Sequence, residues 1–372
     1  MKTFIFDPVN TSYSHASFNA TMIEAIGKSK YSNQLTICLE ENQIKLPVIQ
    51  DAVNRLSLNL KVNGWKSINT KNSFQKFMST FQHYYKIFQT IKKEKPDNIF
   101  FLAADNLFSP LLVFILKMQR KKAFNIFIIL HNNIENIQDS TIKRKLWSLA
   151  FEKNTVGLVL ADFVKEKAVL KFPNAKILTL EHPIYKHLSM SQFDQDTKEY
   201  KTDFLILGRH SNAFINNELS AKFFSACSEL SRSKKITVAI KKDAVPNEKY
   251  SNVEIVSYGF PLKDEEYWEL LHTSKFLVIP PESGKRVTAS GVLADALTAD
   301  LLIIAPNRGA FSEFIPSSYH DLLYNENEME RAISYALSLT DNAYKKKCHD
   351  VQKKADEYSL EKTIKKLNDI LK

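Results

Sequence analysis

Residues 274–313 form the most specific stretch of the chain for chemistry on a phosphorylated ligand. An apolar run at 276–279 closes on Pro280-Pro281, and a polar stretch with Glu282, Lys285 and Arg286 follows. A helix then opens near Ser290-Gly291 and returns through Leu297 to a second apolar run at 301–304. The pattern predicts strand, loop, helix, strand. In an open α/β sheet, ligands collect outside the carboxyl ends of the strands, which is where Glu282 falls. The unpaired N–H groups at the helix start, with the helix dipole behind them, suit a diphosphate.

Other polar groups stand directly behind apolar runs: Asp105-Asn106 after 100–104 and His131-Asn132-Asn133 after 124–130. His15 to Asn19 opens a helix after the first strand, where His15 either meets a ligand or, like Ser14, caps the helix. His182-Pro183 reads as the end of a strand and the start of a hinge. Asp194-Gln195-Asp196 lies in a polar connector and not behind a strand, so it reads as solvated linker and not as a metal-binding pair.

These positions need strands to carry them. Short apolar runs at 4–6, 35–39, 99–102, 124–130, 156–160 and 177–180 alternate with longer amphipathic stretches. That is how parallel strands buried on both faces read. A second series at 204–207, 236–240, 253–256, 276–279 and 301–304 follows the polar segment 186–202. Two Rossmann-like domains are expected, 1–185 and 186–355, with a last helix at 356–372. Residues 140–151 predict a basic amphipathic helix with Ile142, Leu146, Leu149 and Ala150 on its apolar face. The terminal stretch repeats the pattern with Leu360, Ile364, Leu367, Ile370 and Leu371.

A chain of 372 residues with 44% hydrophobic and 25% charged residues has the composition of a folded globular protein of two domains. Cys38, Cys227 and Cys348 match neither a disulfide framework nor a zinc cluster, and the start breaks at Asp7 before a signal-peptide core can form. A cytoplasmic location is expected, with peripheral attachment at the inner membrane face. The net charge of +10 is uneven: residues 1–185 hold 25 Lys and Arg against 14 Asp and Glu. Such a basic half suits an anionic membrane surface or a phosphorylated substrate. No finger, helix-turn-helix or RNA-binding signature points to nucleic acid. Leu107 to Leu116, followed by Lys117, Arg120, Lys121 and Lys122, reads as a buried crossover helix in preference to a helix resting on lipid.

The run Ser290-Gly291-Val292-Leu293-Ala294-Asp295-Ala296-Leu297-Thr298-Ala299-Asp300-Leu301-Leu302-Ile303-Ile304 resembles, without a gap, the donor motif of the retaining GT-B glycosyltransferases of family 4. Tyr258-Gly259-Phe260-Pro261 and Leu205-Ile206-Leu207-Gly208-Arg209 are similar to that family's preceding segments. The resemblance implies a GT-B fold, two Rossmann-like domains facing each other across a cleft, whose last helix returns to the first domain. It implies transfer of a hexosyl or N-acetylhexosaminyl group from a nucleotide-diphosphate sugar such as a UDP- or GDP-sugar. The acceptor would be a saccharide or lipid-linked saccharide, as in capsule or lipopolysaccharide assembly, with no cofactor and no essential metal.

By that resemblance Glu282 and His131 lie beside the donor sugar, Arg209 and Arg286 meet the diphosphate, and Asp295 replaces the Glu that holds the ribose. Lys285, Ser290 and Gly291 complete the donor site, while His15, Asn19 and Asp105 fall to the acceptor side. Arg286 is the preferred phosphate ligand because its fork binds two oxygens, and fixed cations stabilise the leaving group as its charge grows. The chain departs from the family at His210-Ser211-Asn212-Ala213-Phe214, where a Lys-Gly is common, so Lys241, Lys242 or Lys285 must supply the second cation. Asp300 and Leu302 replace the usual Gly and Pro. Two other functions fit the same fold: a non-hydrolysing sugar-nucleotide epimerase, and a catalytically silent subunit that partners another transferase.

Overall fold

The computed structural model describes the whole chain except residues 11–14, 31, 67–71, 120–123, 132, 138–139, 153, 185–198, 216–217, 232–234, 261, 282–290, 310 and 326–327. The described residues form two units, one drawn from 1–184 and 358–372 and the other from 199–281 and 291–357.

The first unit is built on a seven-stranded parallel sheet of β1 (Lys2–Phe6), β2 (Gln34–Glu40), β3 (Asn59–Trp65), β4 (Asn98–Phe101), β5 (Asn125–Ile129), β6 (Thr155–Val159) and β7 (Lys176–Thr179). Its order is β3-β2-β1-β4-β5-β6-β7. The chain therefore winds outward from β1 to one edge, then crosses back to β4 and winds to the other. Helices cover both faces, so Phe4, Ile5 and Phe6 are all fully buried, and Phe100 stacks on Phe127 at 4.6 Å. β3 escapes the apolar-run reading because it is an edge strand. Its sequence Asn-Leu-Lys-Val-Asn-Gly-Trp alternates polar and apolar residues, and most of it is exposed.

The helix Ala16–Gly27 is almost entirely buried. Against it packs the last helix, Leu360–Ile370, capped by Ser359 and anchored by the fully buried Leu367, with Leu360, Ile364, Ile370 and Leu371 around it. The Lys30 N–H donates to Asn368 Oδ1 at 2.8 Å, and Lys366 pairs with Glu181. The helix Thr141–Phe151 forms as expected, with the Ser140 hydroxyl accepting from Lys143 N, but its buried face differs from the expected one. Trp147, Ala150 and Phe151 are buried while Ile142 is 71% exposed. The indole and phenyl rings bring more apolar area than Ile142 and Leu149, and they turn the helix so that Phe151 meets Phe172 at 5.3 Å. The helix Phe108–Gln119 buries Leu112, Val113 and Leu116, as a crossover helix does, and Lys117 donates to the carbonyls of Ala150 and Glu152.

The second unit holds β8 (Thr202–Ile206), β9 (Ile236–Lys241), β10 (Val253–Tyr258), β11 (Ser274–Val278), β12 (Leu302–Pro306) and β13 (Leu323–Tyr324), all parallel, in the order β10-β9-β8-β11-β12-β13. β13, at two residues, is too short to leave a sequence pattern. Phe204, Phe223 and Phe276 fill the core, and the Tyr344 hydroxyl donates to Lys275 O at 3.1 Å. Among the described residues no helix is long and apolar enough to cross a membrane.

Candidate functional site

Each sheet has one place where neighbouring connections leave in opposite directions: between β1 and β4 in the first unit, and between β8 and β11 in the second. The crevice outside the carboxyl strand ends at such a point is where α/β folds bind ligands.

In the first unit that rim is closed by its own hydrogen bonds. Asp7, directly after β1, is fully buried. It accepts from Val9 N at 2.9 Å, Asn10 N at 3.0 Å, Asn10 Nδ2 at 2.9 Å and Asn19 Nδ2 at 2.6 Å. Asn19 also donates to Gln43 Oε1 at 3.0 Å, and Trp65 Nε1 donates to Asp7 O at 3.1 Å. Asn19, expected on the acceptor side, is thus fully buried and holds the β1 loop. Asp7 is a strand-end carboxylate like Asp105, and in the sequence it stands out only as the break in an apolar run.

Asp105 follows β4 and turns its half-buried carboxylate back onto the chain. It accepts from Leu107 N at 2.8 Å, Phe108 N at 2.6 Å and Ser109 N at 3.2 Å, capping the helix Phe108–Gln119. The Tyr84 hydroxyl donates to the same carboxylate, and burial with that neighbouring charge pushes its pKa well above the ordinary range. Asp105 thus caps the helix Phe108–Gln119 and holds Tyr84.

Three histidines gather beside these loops around Phe18. The His131 ring stands edge-on to His15 at 4.6 Å and to Phe18 at 4.8 Å, and His182 lies 5.1 Å from Phe18. His15 occupies the N-cap position of the helix Ala16–Gly27 with φ 57°, yet its side chain makes no cap hydrogen bond, so capping does not explain it. Burial, with His15 nearby, holds the His131 pKa well below its usual range. The neutral ring donates from Nε2 to Leu102 O at 2.8 Å, which leaves Nδ1 as the nitrogen able to accept a hydrogen bond from a hydroxyl. Burial also lowers the His182 pKa to about 4. His182, expected at the start of a hinge, thus joins this cluster; in the sequence its one signal is its place two residues after the apolar run 177–180.

The rim of the second unit is built differently. After β8 the chain turns through Gly208 at φ 57°, a conformation glycine adopts without the cost a side chain brings. Tyr258, at the end of β10, fastens this turn: its hydroxyl donates to Ile206 O at 2.6 Å and accepts from Gly208 N at 2.9 Å. Ser211 Oγ donates to Ile206 O at 2.7 Å. The backbone of Arg209 lies in the short 3-10 helix Gly208–Phe214 that follows, and its side chain is outside the described residues. Tyr258 as the fastener was unforeseen. Lys241 pairs with Asp243 at 2.9 Å and lies over the Phe260 ring at 5.6 Å.

On the other side of the switch point, the helix Gly291–Thr298 begins at an exposed Gly291, and no described atom lies within 4 Å of where a Cβ would stand. Half-buried Asp295, one turn in, accepts from the Tyr267 hydroxyl at 2.7 Å. At the ends of β12 and β13, a cavity of about 240 Å³ is lined by Pro281, Pro306, Asn307, Arg308, Tyr324 and Asn325, with Arg308 Nη2 donating to Pro281 O at 2.5 Å. Glu282, Lys285, Arg286 and Ser290 lie outside the described residues. Among those described, no group of three or more His, Cys, Asp or Glu side chains could hold a metal ion.

No family model matches the chain, and no curated protein matches it in sequence. Solved structures do. A glycosyltransferase from Rickettsia africae superposes with a TM-score of 0.63 at 14% identity, covering 99% of this chain and 96% of its own. A lipopolysaccharide outer core galactosyltransferase gives 0.63 at 14% identity, covering 100% and 99%. A UDP-GlcNAc 2-epimerase from Neisseria meningitidis, bound to UDP-GlcNAc, gives 0.58 at 13% identity, covering 100% and 99%. The chain therefore has the α/β fold of the GT-B glycosyltransferases, with two Rossmann-like units.

Proposed function

We propose that this chain is a glycosyltransferase that moves a sugar from a nucleotide-diphosphate donor to a saccharide or lipid-linked saccharide acceptor, with retention and without an essential metal. The observation that supports it most is the second unit's rim. There a glycine turn held by Tyr258, and the start of the helix Gly291–Thr298, where no described atom lies within 4 Å of a Cβ at Gly291, stand on the two strands that flank the switch point; we infer that their backbone N–H groups receive a diphosphate. The full-length likeness to glycosyltransferases of known structure supports the same reading.

In this reading Arg209, Lys285 and Arg286 stabilise the leaving diphosphate, Asp295 holds the ribose, and Glu282 with His131 positions the sugar. The bond between the anomeric carbon and the phosphate oxygen breaks, and its electron pair goes to the diphosphate. The acceptor hydroxyl attacks on the same face and passes its proton to that phosphate oxygen, so no strong side-chain base is needed. The neutral His131, with Nδ1 as its acceptor nitrogen, receives a sugar hydroxyl without competing for that proton.

A second reading, a silent subunit, is favoured by one observation: the Asp295 carboxylate already accepts from Tyr267. Incubation with UDP- and GDP-sugars and a panel of lipid-linked acceptors, followed by NMR of the product anomer, separates the readings. A product with the donor's anomeric configuration supports retaining transfer, and an inverted anomer overturns retention. Free epimerised sugar without acceptor points to an epimerase, and turnover only with a copurifying transferase points to a silent subunit.

A further inference from the structure

The helix Ser73–Glu94 crosses from β3 to β4 and carries two apolar faces where a crossover helix needs one. Tyr84, Ile87 and Ile91 are buried against the sheet. Phe74, Phe77, Met78, Phe81 and Tyr85 recur at spacings of three and four residues and are all exposed, Phe74 at 72%, Tyr85 at 55% and Phe81 at 47%. A contiguous stripe of this kind on a folded surface marks a contact site. Its first turns lie beside the β4 loop, since Phe77 meets Phe108 at 5.2 Å and Tyr84 donates to Asp105; Leu107, in that loop, is exposed as well.

The charge around the stripe narrows what covers it. Between Asp51 and Glu94 the sequence has no carboxylate at all and eight Lys or Arg. Lys86, Lys92 and Lys93 are exposed along the same helix. Glu94, the first acid met, is already paired with Lys2 and Lys61. Aromatic side chains bordered by cations, on a helix that carries no acid before Glu94, match an anionic bilayer: rings enter the acyl boundary while ammonium groups remain among the phosphates.

We propose that the exposed face of the helix Ser73–Glu94 docks this chain on an anionic membrane surface, with Phe74, Phe77, Met78 and Phe81 as the inserting side chains. This places the membrane contact on a different helix from Phe108–Gln119, the one whose apolar sequence suggested it. The proposal is independent of the transferase reading, because docking needs neither donor nor acceptor.

Cosedimentation of the full chain with vesicles of phosphatidylcholine alone, or with about 30% phosphatidylglycerol, tests it. The expected result is binding to the anionic vesicles only, released on raising salt from about 0.1 to about 0.5 M. A Phe74→Ser/Phe81→Ser chain, its thermal unfolding unchanged, should bind at least about tenfold more weakly. Lys86→Gln and Lys92→Gln should each cost about fivefold and flatten the salt dependence. Three results overturn the proposal: no salt-sensitive binding, equal binding by the serine and glutamine variants, or sedimentation velocity showing a dimer that the serine variant dissolves. The last would make the stripe an interface between copies.

Discussion

The two sheets offer the same crevice in opposite states. At the β1–β4 switch point the strand-end carboxylates are turned inward: Asp7 is held by Val9, Asn10 and Asn19, and Asp105 by the start of its own helix and by Tyr84. At the β8–β11 switch point the described chain has the Gly208 turn and the start of the helix Gly291–Thr298, with no described atom within 4 Å of a Cβ at Gly291. A buried carboxylate saturated with donors sets loop shape and leaves little capacity for a ligand. An uncovered helix start has capacity for an anion and contributes little to loop shape. The first rim is therefore a wall fixed by its own hydrogen bonds, and the second is the one proposed to receive phosphate.

The largest expected effect tests the wall. Asp7→Ala leaves the donors of Asn10 and Asn19 buried and unpaired, which costs about 3–5 kcal/mol. Calorimetry should show the first unit's transition falling while the second unit's stays in place; a shared loss would erase the distinction. Acid comes next. Burial lowers the His182 pKa from 6.5 to about 4, so on acidification the unfolded chain takes up this proton first. The stability from keeping the ring neutral is whole above about pH 6.5, declines below it, and is lost by pH 4, amounting to about 3 kcal/mol. His131 acts in the same direction. Thermal unfolding at pH 7 and pH 4.5 should thus lower the first unit's transition, and His182→Phe should reduce that pH dependence.

Smaller effects belong to the receptor. Tyr258→Phe removes the hydroxyl that fastens Gly208 and should cost the second unit about 1–2 kcal/mol, together with weaker nucleotide binding. Gly291→Ala should change stability by less than about 0.5 kcal/mol, because its methyl meets no described atom. If a diphosphate sits there, the same methyl weakens nucleotide binding, measurable by titration calorimetry. Binding lost with stability kept is the signature of a receptor surface.

The strands of both sheets were legible wherever burial on two faces made the sequence continuously apolar, as in Phe4-Ile5-Phe6 or Phe276 to Ile279. The edge strand β3 and the two-residue β13 were not, because an exposed or very short strand carries no such run. Strand-end position correctly located polar residues at the rims but did not reveal their direction. Asp105 turns back onto the N–H groups of its own loop and Asn19 reaches from its helix to the acceptors Asp7 and Gln43, partners that a linear pattern does not display. The helix Thr141–Phe151 was found and its face misjudged, since periodicity alone does not weigh an indole against an isoleucine. Tyr258 was invisible for a related reason: its hydroxyl reaches a turn fifty residues away in sequence.

We propose that the second unit receives a nucleoside diphosphate. Differential scanning calorimetry of the full chain with UDP, GDP, ADP or CMP, on the wild type and on Arg286→Ala and Asp295→Ala, tests it most directly. One diphosphate at about 100 times its dissociation constant should add about 2.7 kcal/mol to the second unit, raising its transition by several degrees, and both variants should lose the effect. A chain whose transitions do not move with any nucleotide, or move equally in both variants, would contradict the assignment of this rim as the donor site.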